Sequence, residues 1–582
     1  MKSIIKFATV LAVAVGSVSC LDLDPQDQIS DANVWGNANN VQLFANQFYG
    51  GLRDFNGGNY RTTVWDGPHS DRRSDLISGS TINVYSNGTN QIPASDGNYT
   101  DLYNRIYRTN LLLANVQAED SRSMMAQPVG EAYFFRAYFH FELVQLYGDC
   151  ILVQRPLDVG AGELTSERDD RLKVVKAIIA DLKEATKYLP DTPTEEGRVA
   201  KPAAWAMLSR VALYEGSWQK FHVGNGENTA DSKALFQEAW KAADEVIKAG
   251  NYQLFRNDQL GDRDSYRYMF LLEDVACNPA GLQKSANTEY ILTNRHNSPL
   301  KYVGCNLTHG MLNHGDNMIT AKLADMYRCQ DGLPIDKSPL FKGRATATSE
   351  FDNRDNRMNG TMMMVGQKYW DNDGINSSTK VPYSRTTWND EDLTHARTCE
   401  PNKNGLGYAN YKWCTERQVD DTQESMDFPV IRYAEVLLNY AEAKFEENDA
   451  ITDAELNYSL NEVRARSNPK MTKLSNSLCS ANGLSMREEI RAERSVELVM
   501  EGFRLDDLKR WKTAEVEMPM DIVGVQVTGT WYEGQGMTLP LNEEGRVRLF
   551  TGRQWQQKHY LFPLPTDQRQ LNPNLGQNPG WE

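Results

Sequence analysis

Gly130-Glu-Ala-Tyr-Phe-Phe-Arg-Ala-Tyr-Phe-His-Phe-Glu-Leu-Val-Gln-Leu-Tyr147 is the stretch that decides the fold class. Its apolar residues fall on nearly every side of a helical period, so it reads as a helix buried all round. Such a helix needs other helices about it, and the chain supplies them. Residues 98–117 precede it, and 172–189 follow at helical period and stop before Pro190. Residues 202–218 pair with 235–249, where Ala239, Ala242, Ala243 and Val246 make a small-residue face. Residues 430–447 pair with 454–466 in the same style. Helices of this length with alanine at their contacts look like tetratricopeptide units, without the strict repeat of about 34 residues.

The texture changes between Gly250 and Pro429, where Gly, Asn, Asp and Ser become dense and long helical periods disappear. A second irregular segment runs from Asn59 to Tyr99. Loops beyond about 12–15 residues in a compact protein are usually functional or disordered, and the aromatics set among these polar residues argue against disorder. The composition has 12 Trp, 26 Tyr and 19 Phe, more Trp than a core needs and a hint of a binding surface.

The first twenty residues speak to compartment. Lys2 and Lys6 precede a nine-residue apolar run, Phe7 to Val15. As a helix that run covers about 14 Å, half of a ~30 Å bilayer core, so residues 1–19 read as a cleavable export signal and not an anchor. Ser17-Val-Ser-Cys20 resembles a bacterial lipobox, in which the cysteine is acylated and becomes the new N-terminus. Several acyl chains hold a protein stably on a membrane, where one chain does so only marginally. The body, residues 20–582, is read as one unit, with an acidic tether to about Asn40. Its helix-pair part runs over 20–250, and a loop-rich insert with C-terminal helices fills 251–582. Loss of the signal takes two lysines and no acid, moving the net charge from −16 to −18. Neither nucleic acid nor an anionic membrane surface attracts such a body. Seven cysteines remain after Cys20, with no C-x-x-C spacing, so neither a disulfide framework nor a zinc site is read.

The residues also resemble a known family, the SusD/RagB outer-membrane lipoproteins. The match runs through the lipobox, through Gly130 to Tyr147-Gly-Asp149, and through 202–218 with Leu208-Ser-Arg-Val-Ala-Leu-Tyr214. It continues in Phe428-Pro-Val-Ile-Arg-Tyr-Ala-Glu-Val-Leu-Leu-Asn-Tyr-Ala-Glu-Ala443 and Leu460-Asn-Glu-Val-Arg464. Glu493-Arg-Ser-Val-Glu-Leu-Val-Met-Glu-Gly-Phe-Arg504 with Asp507-Leu-Lys-Arg-Trp511, and Tyr560-Leu-Phe-Pro-Leu-Pro565 with the Asn-Pro-rich tail, complete it in the family's order. The lipobox departs a little, with Val18 and Ser19 where Ala or Ser and Gly are commoner. The resemblance implies a mainly α, SusD-like fold, four helix pairs supporting irregular ligand-binding loops with few short strands. It also implies an oligosaccharide ligand, no cofactor, and a SusC-type TonB-dependent transporter as partner at the outer membrane, with the lipid-anchored body facing outward. Peptide cargo on the same fold is the alternative.

A sugar presents flat C–H faces that pack on aromatic rings and hydroxyls that need directed partners. The candidate contacts are Arg61, Trp65, Asp66, Asn83 and Tyr85 in the first loop. Arg295, His296, Tyr302 and Asn306 follow the strand-like Glu289-Tyr-Ile-Leu292, and Trp370 and Trp388 stand further on. For each aromatic, packing in the core is the ordinary alternative.

No catalytic set emerges. Glu493, Glu497 and Glu501 recur at i, i+4, i+8, but Arg491, Arg494, Arg504 and Arg510 lie beside them, and a salt-bridged helix explains the pattern better than a glycosidase pair. His309 and His314 lack the spacing of a helical zinc pair. A calcium loop starting at Asp355 fails, with Arg357 at its third position and Gly366 at its twelfth. A lipid-anchored hydrolase would need a carboxylate pair in the aromatic loops.

The anchoring reading is tested by Cys20→Ala. The variant is expected to be exported without palmitate label, while the native chain partitions into the detergent phase; partition of the native chain into water would overturn it.

Overall fold

In the computed structural model the described residues are 34–117, 119–312, 317–346, 348–364, 405–415, 422–534 and 536–582. Cys20, Trp370, Trp388 and Cys399 lie outside them. The principal helices are α1 (Ala38–Asn46), α2 (Gly97–Asn115), α3 (Ala126–Tyr147), α4 (Arg171–Tyr188), α5 (Lys201–Trp218) and α6 (Ala230–Ala249). After the loop-rich region come α7 (Tyr433–Asn448), α8 (Leu460–Ser467), α9 (Met486–Leu498) and α10 (Arg504–Arg510). From α2 to α7 each helix packs against the next, forming one continuous stack.

Helix α3 is the stack's buried axis. All its residues from Pro128 to Tyr147 are buried except Tyr133, as its all-round apolar pattern requires. It starts four residues before Gly130, because Pro128 sits in the first turn, where its missing N–H costs nothing. Arg136 keys three helices together: its guanidinium donates to both Asp181 oxygens on α4 at 2.7 and 2.6 Å and to Asn110 Oδ1 on α2 at 2.9 Å. The alanine face read from the sequence is buried against α5, where a Cβ on Gly216 would lie 2.9 Å from Phe236.

Three readings change. The acidic tether ends earlier, since Asn37 caps α1 by accepting from the N–H groups of Asn39 and Asn40. Residues 430–432 are strand and not helix: β4 (Phe428–Arg432) pairs antiparallel with β2 (Tyr290–Asn294). The β-branched Val430 and Ile431 suit a buried strand, Pro429 is tolerated because β4 has a partner on one side only, and the helical pattern begins only at Tyr433. The 454–466 tract is broken at Ser459, whose φ −137 and ψ −95 leave Asp453–Tyr458 and α8 as separate pieces. The remaining strands also form two-stranded ribbons, β1 (Ile77–Ser78) with β3 (Met318–Ile319) and β5 (Ile522–Gln526) with β6 (Arg546–Phe550). Such ribbons are marginal alone and depend on what holds their ends.

A buried lattice of charge holds β2 and β4. Arg432, at the end of β4, donates to Glu289 at 2.7 Å, Glu497 at 2.6 Å and Glu501 at 2.7 Å. Arg466 of α8 reaches Glu289 at 2.9 Å and Glu497 at 2.6 Å. Arg357 takes Asp355, Glu493 and Glu497, Arg464 takes Glu493, and Lys412 takes Glu501. Five cations thus face five carboxylates, all at most 3% exposed. Burial alone would raise the Glu497 carboxyl, but Arg466, Arg432 and Arg357 together hold it well below the usual range.

Removing one partner strands several carboxylates. Arg432→Met is expected to cost about 3–5 kcal/mol in a denaturant melt; a loss below about 1 kcal/mol would show that the lattice contributes nothing net. Elsewhere in the core Glu142 and Glu442 are pushed up by burial, yet Arg53 with His69, and Arg510, hold them down at about 2. A carboxyl depressed in the folded state adds stability that is complete above its unfolded value near 4.3 and lost as pH falls through its folded value. The contribution of these two carboxyls to the melting temperature should therefore be lost between about pH 4.5 and 2, where the steepest acid fall is expected.

Candidate functional site

Three chain segments converge beyond the C-terminal end of β2. The first is the turn Gln47–Gly51 with the following loop to the turn Asn59–Arg61. The second is residues 195–198, joining α4 to α5, and the third is residues 295–303, leaving β2. Between them lies a cleft of about 630 Å³, a size suited to a small ligand.

Its walls are fixed from beneath. Glu131 of α3 is fully buried and gathers Tyr49 Oη at 2.7 Å, Arg198 Nη1 at 2.8 Å and Gln127 Nε2 at 2.6 Å. Tyr49 in turn accepts from the Val199 N–H at 3.0 Å. The first two segments are thereby pinned to the axial helix. The third is held through Asp427, just before β4, which accepts from the His296 N–H at 2.9 Å. Asp54 accepts from Asn294 Nδ2 at 3.1 Å and lies 3.3 Å from His296 Nε2, tying the third segment to the first.

Four of the residues singled out from the sequence meet here: Arg61, Arg295, His296 and Tyr302 all line the cleft. They do different things. His296 is 1% exposed and its ring lies 5.9 Å from Phe55, so it braces the loop. Arg295 pairs with Glu196 through Nη1 and lies 3.7 Å from Asp427 through Nε. That side chain stands between the main cleft and a smaller one of about 350 Å³, which shares Glu196, Gly197, Thr293 and Arg295 with it. The result is a groove of two lobes with an ion pair as the partition. Tyr302 is half-buried, with its hydroxyl 3.4 Å from Ser298 Oγ.

The others lie elsewhere. Trp65 is half-buried and packs on the short helix Leu307–Leu312, where a Cβ on Gly310 would stand 2.1 Å from its ring. Asn306 precedes that helix and its carbonyl accepts from Gly310 N–H at 2.7 Å. Asp66, Asn83 and Tyr85 form a second cluster, in which Asn83 Nδ2 donates to Asp66 and Asn83 Oδ1 caps the helix Val84–Asn87. The Tyr85 ring stacks on Phe562 at 5.3 Å, with the Arg73 guanidinium 3.7 Å over it. None of these five lines either lobe. Trp370 and Trp388 fall outside the described residues.

Sequence reasoning missed Tyr49, Asp54, Glu196, Arg198 and Lys301. Lys301 donates to Asn294 Oδ1 at 2.6 Å. Its side chain reaches solvent, yet desolvation by the cleft walls lowers its ammonium pKa; Asp54 and Asp427 oppose this, while Lys284 and Arg61 add to it. Among the described residues no cluster of His, Cys, Asp or Glu is arranged to hold a metal ion. The six described cysteines are all unpaired.

Comparison with known proteins agrees with this architecture. Residues 280–581 match a model described as the SusD family, and residues 20–213 match one described as starch-binding associating with outer membrane. A SusD-like protein of Bacteroides ovatus is 24% identical over 523 residues, 88% of this chain and 82% of that protein. SusD-like protein P25 of Formosa agariphila is 31% identical over 125 residues, 21% of this chain, and the chain spans about a quarter of that relative's length (24%). A SusD-like carbohydrate binding protein from Bacteroides fragilis has the same fold, with a TM-score of 0.69 at 22% identity over 93% of this chain and 99% of that one.

The partition between the lobes can be tested at Gly197, whose φ of 86 favours glycine and whose Cβ would lie 2.7 Å from Arg295 Cδ. Gly197→Ala is expected to cost more than about 1 kcal/mol in a denaturant melt. It should also swing Arg295 off Glu196, visible in a crystal structure of the variant.

Proposed function

The chain belongs to the SusD family, and from that premise we propose that it is a surface lipoprotein that captures oligosaccharide and hands it to a SusC-type TonB-dependent transporter in the outer membrane. The two-lobed groove carries the reading. Its two lobes adjoin, it has Tyr302 for a sugar face, and its rim offers amide, carboxylate and guanidinium groups to hydroxyls. The descriptions of the matched relatives, carbohydrate binding and starch-binding at the outer membrane, point the same way. The reading is of a binder without chemistry: the cleft carboxylates Asp54, Glu195 and Glu196 are engaged by Asn294, Arg198 and Arg295, where a hydrolase needs two set across a scissile bond.

Among the described residues no helix is long and apolar enough to cross a membrane. Inward movement of the cargo is therefore assigned to the partner barrel, over which this protein sits tethered through Cys20. A stable contact of that kind buries about 1,000 Å² or more in total.

A glycan array set beside a peptide library tests the cargo. Glycan binding is expected, and Tyr302→Ala should weaken it by about 1 kcal/mol, roughly fivefold, with an unchanged melting temperature. Binding confined to peptides would overturn the reading of cargo. Affinity purification from membranes in mild detergent should recover a stoichiometric barrel partner, and recovery of this chain alone would overturn that of delivery.

A further inference from the structure

The cations of the main cleft are of two sorts. Arg198 is paired with Glu131 at 2.8 Å and Glu195 at 3.2 Å, and Arg295 is paired with Glu196. Arg61 and Lys301 have no carboxylate partner among the described residues. The Arg61 Nη1 donates to the Gly50 carbonyl at 2.8 Å, and its Nε is covered and lacks an acceptor. The Lys301 Nζ has the neutral Asn294 amide oxygen. The carboxylates of the same cleft are occupied in contrast: Asp54 accepts from the Phe55 N–H at 2.7 Å and from Asn294, Glu195 takes Arg198, and Glu196 takes Arg295. Formal charge in the cleft nearly balances, so what sets Arg61 and Lys301 apart is that neither has a carboxylate within ion-pair distance among the described residues.

Arg61 and Lys301 come from different segments, and the Arg61 charge adds to the desolvation that Lys301 bears in the cleft, against the opposing pull of Asp54 and Asp427. An oxyanion set between them relieves that cost and gains charge-assisted hydrogen bonds from both, roughly twice the strength of neutral ones. A hydroxyl cannot do as much. The net charge of −16 makes such a pair the more telling, because the body as a whole repels anions and only a local pair offsets this.

We infer that Arg61 and Lys301 receive an acidic substituent of the bound oligosaccharide, a uronate carboxylate or a sulfate ester, so that the groove selects acidic glycans over their neutral counterparts. The inference rests on the glycan reading above and narrows it.

Matched pairs of glycans test it on the full mature lipoprotein in detergent. Polygalacturonate and alginate are set against their carboxyl-reduced forms, and carrageenan against its desulfated form, alongside neutral glucans, xylans and mannans. Binding to an acidic member is expected to exceed its neutral twin by about tenfold or more, and Arg61→Gln and Lys301→Met should each remove most of that difference. The melting temperature should stay unchanged. The uronate and sulfate arms tell which substituent the pair prefers. Equal binding to both members of every pair, or binding to neutral glycans alone, overturns the inference and leaves the glycan reading standing. Discrimination that survives both substitutions overturns the assignment to this pair. Failure to bind any glycan, acidic or neutral, overturns inference and glycan reading together.

Discussion

The rest of the structure depends on how Arg432 is neutralised. Its guanidinium is buried where β4 ends and α7 begins, and an unpaired charge there would cost several kcal/mol. Three carboxylates from distant parts of the chain close around it, Glu289 at the head of β2, Glu497 in α9 and Glu501 beyond that helix. Each of these is shared with another cation, so the lattice is satisfied only when all its segments are in place. That makes it a device for register. The short ribbon β2–β4 has shifts in its pairing and little hydrogen-bonded length of its own, and the charges fix where it sits. The loop of the cleft leaves β2 five residues after Glu289. A lattice deep in the body therefore sets the position of Arg295 and Tyr302.

A second knot does the same for the other wall. Arg53 donates to Glu142 of α3 at 2.9 Å, and His69 stands between Glu142 and Asp506 of α10, 2.8 Å from one and 2.7 Å from the other. Arg504 pairs with Asp75, and Asp71 accepts from the Arg504 N–H. The irregular stretch after α1 is thus bound to the first and last helical parts of the fold at once. This is how a loop-rich segment can be well placed without secondary structure of its own.

How much of this was legible follows from which interactions are local. The helices were readable because α3, α5 and α6 carry their packing faces at helical spacing, and Ala239, Ala242, Ala243 and Val246 are buried as that spacing requires. β4 was hidden because Val430 and Ile431 run straight into the helical pattern of α7. Glu493, Glu497 and Glu501 were readable as ion-paired, but not with whom. Glu501 lies beyond the end of α9 at Leu498, and the arginines that meet these acids come from 357, 432, 464 and 466, far off in sequence. Tryptophan abundance did not point to this cleft: among the described residues Trp218, Trp413, Trp511 and Trp581 are buried, and no tryptophan lines either lobe. In the cleft, Arg295, His296 and Tyr302 were found together because they follow one strand in one loop. Tyr49 and Arg198 carried no such signal, as what unites them is Glu131, a buried acid on a helix whose pattern speaks only of packing.

The groove combines a fixed floor with a partition that is weakly held. Its floor is rigid: Glu131 has four donors, Gln42, Tyr49, Gln127 and Arg198, and opening any of them leaves a buried carboxylate short of partners. A preformed floor spares the ligand the entropy of ordering it. The partition is different in kind. Glu196 is 68% exposed and Arg295 is 31% exposed, and an ion pair so open to water contributes at most about 1 kcal/mol. If the proposed glycan chain binds here, little would be lost in parting the pair and exchanging its hydrogen bonds for those of sugar hydroxyls, and the two lobes would then become one channel. On the proposed glycan reading, affinity would come from the fixed floor, and the length of cargo would be set by a partition that yields at small cost.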